Sequence, residues 1–206
     1  MSLIHYNEQE LVRRLEQLSP KLRVVFAAAC AERLLPTYFS FSERTGNGDP
    51  SRLAMILERL WVDLQGNPMS TEEMRANLDV CMSLIPQEGE DLWVDEQAYA
   101  EDAAVALAYA LRCRQSGESQ EAAWAARRAY EAVDYYVINR VGIDANQPGG
   151  EEQVLSHDIV RAELARQHRD IEDLLYAVSN AKTKDVVSLL WSRARIDAIR
   201  FFQSDE

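Results

Sequence analysis

The chain has 206 residues, long enough to bury a hydrophobic core without help from disulfides or a structural metal. Its 34 acidic and 22 basic side chains give a net charge of −12, a surface that repels polyphosphate and argues against nucleic acid as a partner. An apolar share of 47% with 27% charged residues fits a globular chain rather than a disordered one. The longest charge-free apolar run, Ala103 to Leu111, is nine residues, where a membrane span needs about twenty.

The N-terminal segment from Met1 to Glu8 has neither the basic patch nor the apolar run of a signal peptide. Ser19-Pro20 then reads as a helix start, serine offering a cap and proline tolerated at the first helical position. The run Val24 to Ala31 is apolar on every face, which predicts a buried helix at the centre of the fold. Pro36 is expected to kink or end it near Leu35. Tyr38, Phe39 and Phe41 follow as an aromatic cluster before the turn Thr45-Gly46-Asn47-Gly48. Asp49-Pro50 repeats the cap-plus-proline start, and Leu53, Ile56, Leu57, Leu60, Trp61 and Leu64 trace one helical face. Gly66-Asn67-Pro68 stops that helix. Ser70 and Glu73 form a capping box for the next, which runs to Leu84 or Ile85 before Pro86.

The acidic stretch Glu88 to Asp91 reads as a loop. An alanine-rich helix is expected from about Asp95 to Cys113, with Gly117 placed to end it. Another spans Glu118 to Val141, with Ala122, Ala126, Ala129, Val133, Tyr136 and Val137 inward. Gly142 to Gly150 resembles a linker. A long helix from Glu151 to Ser179 and a last one from Thr183 to Phe202 complete the chain. No segment alternates like a strand. The expectation is a single all-α domain over residues 1–206: an antiparallel, up-and-down bundle of seven to eight helices, with additional helices packed on the core.

Cys30, Cys81 and Cys113 are odd in number and far apart, neither a disulfide framework nor a zinc pattern. Free buried thiols fit a reducing compartment, so the chain is expected to be soluble and cytoplasmic. Gly46-Asn47-Gly48 lacks the strand and the further glycine or lysine of a phosphate loop, and Asp49 would repel an anion. His157, Val160, Leu164, His168, Ile171, Leu175 and Val178 recur at helical spacing, which places both histidines on the apolar stripe of the long helix. Eleven residues put them roughly 16 Å apart, too far to share an ion. Neither is preceded by Glu at the third position, so no metal or other cofactor is expected.

Two pairs of adjacent charges border apolar runs: Glu32-Arg33 and Glu101-Asp102. Buried charges need partners. One reading is a structural ion-pair network, with Arg33 joined to Glu101 or Asp102. The other is a polar pocket formed by Glu32, Arg33, Glu101, Asp102 and His168, with one carboxylate raised in pKa for proton transfer. No Ser-His-Asp or Cys-His arrangement is legible, so no catalytic residue is assigned.

The string Glu32-Arg33-Leu34-Leu35-Pro36-Thr37-Tyr38, then Gly46-x-Gly48-Asp49, then Leu57-x-x-Leu60-Trp61, resembles the YjaG-like family of bacterial proteins of unknown function. That resemblance implies an all-α cytosolic bacterial protein of about this length and no particular activity. With no catalytic motif, the favoured function is non-enzymatic, through a protein partner or a homodimer, with Tyr38, Phe39 and Phe41 as the candidate surface. The alternative is a small-ligand binder or enzyme using the polar pocket. From Lys182 to Arg200 five basic residues face two acidic ones, a local +3, but the −12 overall leaves nucleic-acid binding the weakest reading.

Overall fold

The computed structural model describes residues 5–87 and 95–201. Among them are nine α-helices and one π-helical turn, and no strand. The order is α1 (Glu8–Leu15), α2 (Pro20–Thr45), α3 (Pro50–Leu64), α4 (Thr71–Ser83), α5 (Asp95–Ser116), α6 (Ser119–Tyr136), α7 (Gly150–Ser156), α8 (Asp158–Ser179) and α9 (Thr183–Ile196). The chain is an all-α helical bundle. The acidic stretch Glu88 to Asp91 and Phe202 lie outside the described residues.

The helix α2 is the centre because it has no polar face to leave in water. Every residue from Val24 to Leu34 is buried, Glu32 and Arg33 included. It is long and apolar enough to cross a bilayer, yet α5, α6, α3 and α9 cover it instead. Its closest packing is on α5, whose Ala103, Ala104, Ala106, Ala108 and Ala110 are at most 3% exposed. Small side chains on α5 and α6 let three backbones approach closely, so much surface is buried with little side-chain entropy lost. Gly117 ends α5 with a left-handed φ of 76° and an N–H bond to Cys113 O at 2.8 Å, and the chain turns directly into α6.

Pro36 does not end α2, which continues through it to Thr45. The cost of one missing backbone hydrogen bond is offset by packing beyond it: Tyr38 is fully buried and Phe41 is 5% exposed. Thr37 Oγ1, 2.9 Å from Tyr99 O, ties the same turn to α5. At the far end Tyr38 donates to Leu84 O at 2.6 Å and lies over Gly48, where an added Cβ would meet its hydroxyl at 2.7 Å.

The caps behave as the sequence suggests in part. Asp49 accepts from Arg52 N at 2.9 Å and Ser70 from Glu73 N at 3.1 Å. Ser19 stands at the cap of α2 without a side-chain bond. The Glu73 carboxylate, held below its ordinary range first by Arg59 and also by the Ser70 backbone N–H, takes Arg59 from α3 at 2.6 and 3.0 Å. The expected helix from Glu118 to Val141 is α to Tyr136 and then a π turn, Val137–Val141. The helix expected from Glu151 to Ser179 is broken at His157, whose ψ of 137° is extended and whose ring accepts from Ile159 N as the cap of α8. The last helix stops at Ile196 rather than Phe202. The chain there turns over α2, and Ile199 N donates to Arg33 O at 2.7 Å.

Candidate functional site

Arg33 poses the problem around which the site is built. It is 1% exposed at the centre of the apolar helix α2, where an unpaired cation could not persist. Its answer comes from α8. Arg33 Nε and Nη2 donate to the two oxygens of Glu163 at 3.1 and 2.9 Å, and Nη1 donates to Asp170 at 2.7 Å. Gln167, between them on the same face, donates to Glu163 at 3.0 Å and to Ala126 O on α6 at 3.0 Å. Arg193 of α9 reaches the other oxygen of Asp170 and then Asp173, both at 2.6 Å. Burial disfavours the Arg33 cation, but Glu163 and Asp170 outweigh it and hold the guanidinium charged. The Cys30 thiol, 3.4 Å from Arg33, is pushed up to about 12 by burial and stays protonated. Carboxylates whose oxygens all accept from fixed donors are poor general bases. This arrangement clamps four helices, α2, α6, α8 and α9, together.

Glu32, the neighbouring residue, faces elsewhere. One oxygen accepts from Trp61 Nε1 at 2.7 Å and the other from Arg195 at 3.0 Å. Arg195 lies over Trp191, 4.7 Å from its ring centre, and Trp191 stacks on Trp61 at 5.7 Å. Burial raises the Glu32 carboxyl, and the bonds from Trp61 and Arg195 oppose the rise. The outer edge of this region is less complete: Trp191 Nε1 and Arg193 Nε are buried and have no hydrogen-bond partner among the described residues.

The five residues expected to share a pocket do not meet. Asp102 pairs with Arg128 of α6 at 3.2 Å, and Glu101 is exposed, so neither is the partner of Arg33. Burial lifts Asp102 to about 7, with Arg128 opposing. His168 is no core residue: its side chain is 58% exposed. Arg14 lies 3.1 Å from its Nδ1, which must accept because a guanidinium only donates. The apolar stripe is rotated from the expected one. The buried face of α8 holds Val160, Glu163, Leu164, Gln167, Asp170, Ile171, Leu174 and Ala177, whereas Val178 is 45% exposed. Tyr38 and Phe41 are core, and Phe39 is half-buried, so this trio offers little surface.

Sequence reasoning passed over Glu163, Gln167, Asp170 and Arg193. A signal existed: residues 163, 167 and 170 are spaced by four and three, the period of a face that touches something. Asp63 was also missed. It joins the end of α3 to α5 by accepting from Arg114 at 2.7 and 3.1 Å. Among the described residues no group of three or more His, Cys, Asp or Glu side chains is arranged to hold a metal ion.

The concave features lie elsewhere. A small cavity of about 170 Å³ sits between Lys21, Asp63, Cys113 and Arg114. A shallow groove of about 110 Å³ runs between α1 and α8, beside Arg14 and His168. A wider cleft of about 420 Å³ opens where α6, α8 and the chain after α9 meet. Val133, Ile159, Ile199 and Phe201 wall it, with Arg166 and Arg200 among its lining.

Known proteins agree with this architecture and are silent on chemistry. The uncharacterized protein YjaG of Escherichia coli K12 is 31% identical over 111 residues, a match spanning 52% of this chain and about half (54%) of that protein. The crystal structure of a DUF416 family protein from Shewanella baltica OS155 superposes with a TM-score of 0.78, covering 92% of this chain and 95% of that one; at 23% identity the likeness is one of fold. The family model described as "Protein of unknown function (DUF416)" matches residues 10–198, and the chain belongs to that family.

Proposed function

We propose that the protein is a non-enzymatic binding module that acts through a protein partner, seated in the cleft between α6, α8 and the chain after α9. The observation that carries this reading is Ile196, 82% exposed at the end of α9 and part of the lining of that cleft. Isolated exposed apolar side chains are ordinary. One that borders a concave, apolar-walled space of about 420 Å³ is an anchor point for something that covers it. The buried carboxylates of the Arg33 region support the same reading from the other side, since every oxygen of Glu163 and Asp170 already accepts from Arg33, Gln167 or Arg193. Three free, buried cysteines support a cytoplasmic setting for it.

The test is selection of displayed random peptides on the purified protein. Peptides that compete with one another and lose binding to Ile196→Asp support the module. Failure to enrich any binder above an unrelated protein, or binders indifferent to Ile196→Asp, would reject it. A second copy of the chain is one partner this reading admits, checked by sedimentation of wild type against Ile196→Asp.

One observation favours a second reading. Asp102 is a buried carboxyl lifted to about 7, the range useful for proton transfer. A small-ligand or enzymatic role near Asp102 would be supported by native mass spectrometry that finds a retained small molecule, released on denaturation and absent from Asp102→Asn.

A further inference from the structure

We infer that the cleft takes an acidic, apolar peptide segment, with Arg200 and Arg166 receiving its carboxylates; this rests on the binding-module reading and names the partner's chemistry. The apolar walls are Val133, Ile159, Ile199 and Phe201. Beside these apolar walls the cleft carries two cations, Arg166 and Arg200. Arg200 is exposed and makes no ion pair or hydrogen bond with another described residue. Arg166 lies 3.8 Å from Glu163 and 3.7 Å from Asp197, beyond hydrogen-bond distance from both. The buried and half-buried arginines Arg33, Arg59, Arg114 and Arg193, by contrast, each hold carboxylates at 2.6 to 3.1 Å. The cleft therefore keeps guanidinium donors in reserve, and a guanidinium suits a carboxylate because its paired N–H groups match the two oxygens.

Charge gives the second argument. The whole chain carries −12, so an acidic partner is repelled by most of its surface. The cleft lining reverses that balance, with Arg166 and Arg200 against the single carboxylate Asp158, whereas Arg193 and Arg195 nearby are spent on Asp170, Asp173 and Glu32. An acidic segment is thus steered to one end of the molecule and rejected by the rest. Asp158, 99% exposed and 3.8 Å from Arg161, disfavours a uniformly anionic ligand and leaves room for an amide or an apolar side chain at its edge. The cleft is open, with Ile196 and Arg200 largely in water, which fits a segment lying across it better than an engulfed small molecule.

The experiment is fluorescence polarisation with two labelled peptides, acetyl-Leu-Glu-Phe-Glu-Leu-amide and the same sequence with lysine for glutamate. The acidic peptide is expected to bind at least about tenfold more tightly, and the preference to shrink as salt rises. Arg200→Glu is expected to weaken the acidic peptide by about tenfold or more and to strengthen the basic one, while Ile196→Asp weakens both. Equal binding of the two peptides, both lost in Ile196→Asp, would overturn the acidic preference and leave the binding module standing. Binding of neither, or binding indifferent to both substitutions, would overturn the inference. Decanoate displacing the acidic peptide at lower concentration than an unlabelled copy of that peptide would also overturn it, in favour of a free amphiphilic acid.

Discussion

Glu32-Arg33 on α2 and Glu101-Asp102 on α5 look alike in the sequence: two adjacent charges beside an apolar run. The structure treats them oppositely. Arg33 is enclosed and met by Glu163 and Asp170 on α8, with Gln167 and Arg193 securing those carboxylates in turn. Asp102 is nearly as buried but has one partner, Arg128, while Glu101 turns to solvent. The difference is one of compensation. A buried charge with several fixed partners remains charged, whereas a buried charge with one partner drifts toward neutrality.

Breaking the stronger side should have the largest effect. Arg33→Met keeps an apolar side chain of similar length but strands Glu163 and Asp170, and should cost about 3–5 kcal/mol in urea denaturation. A loss below about 1 kcal/mol would mean that the two carboxylates find protons or water, and that the clamp is not what joins α8 and α9 to α2.

The weaker side should be visible through pH. Asp102 is raised from 3.8 to about 7 by burial, so the folded chain holds its proton where the unfolded chain releases it. Its contribution to stability is complete below about pH 3.8 and is lost as pH rises through about 7. Asp102→Asn cannot ionise. Between pH 4 and pH 8 its stability relative to wild type should improve by on the order of 3 kcal/mol, read as the difference between two pH series of denaturation curves. Parallel series would show that Arg128 compensates Asp102 fully, and the contrast with Arg33 would vanish.

Glu32 lies between these extremes. It accepts one bond from the buried Trp61 and one from Arg195, whose side chain is 53% exposed. Glu32→Ala should cost about 2 kcal/mol, most of it from the indole N–H left without an acceptor. Glu32→Gln, which can still accept from Trp61, should recover at least half of that in thermal or urea unfolding.

Helices and caps were legible because they follow from local rules: proline at the start of α2 and α3, glycine after α5, a buried face every three or four residues. The break at His157 and the passage of α2 through Pro36 were not, since neighbouring helices decide both. The site was half legible. Glu32, Arg33 and Asp102 stood out as charges beside apolar runs, but their partners lay up to 163 residues away and one sequence carries no record of pairing. The misplacement of α8 has a sharper cause. Counting only apolar residues as inward rotated its buried face toward His168 and Val178, because the true face is built around Glu163, Gln167 and Asp170. A charged core residue on one helix therefore implies a polar stripe on another, and Arg33 was the clue to read α8 differently.

That rotation gives the smallest predicted effect its value. A histidine on the buried stripe would punish replacement, whereas His168 is 58% exposed and touches Arg14, which also holds Glu172. Exposed contacts of this kind contribute little, because water replaces them and long side chains lose freedom in making them. His168→Leu should change stability by less than about 0.5 kcal/mol in thermal unfolding. A loss above about 2 kcal/mol would mean that the ring helps dock α1 on α8, and that the groove between them is closed in solution. Since Arg14 keeps Glu172 when the ring is gone, the small effect is the one the structure requires.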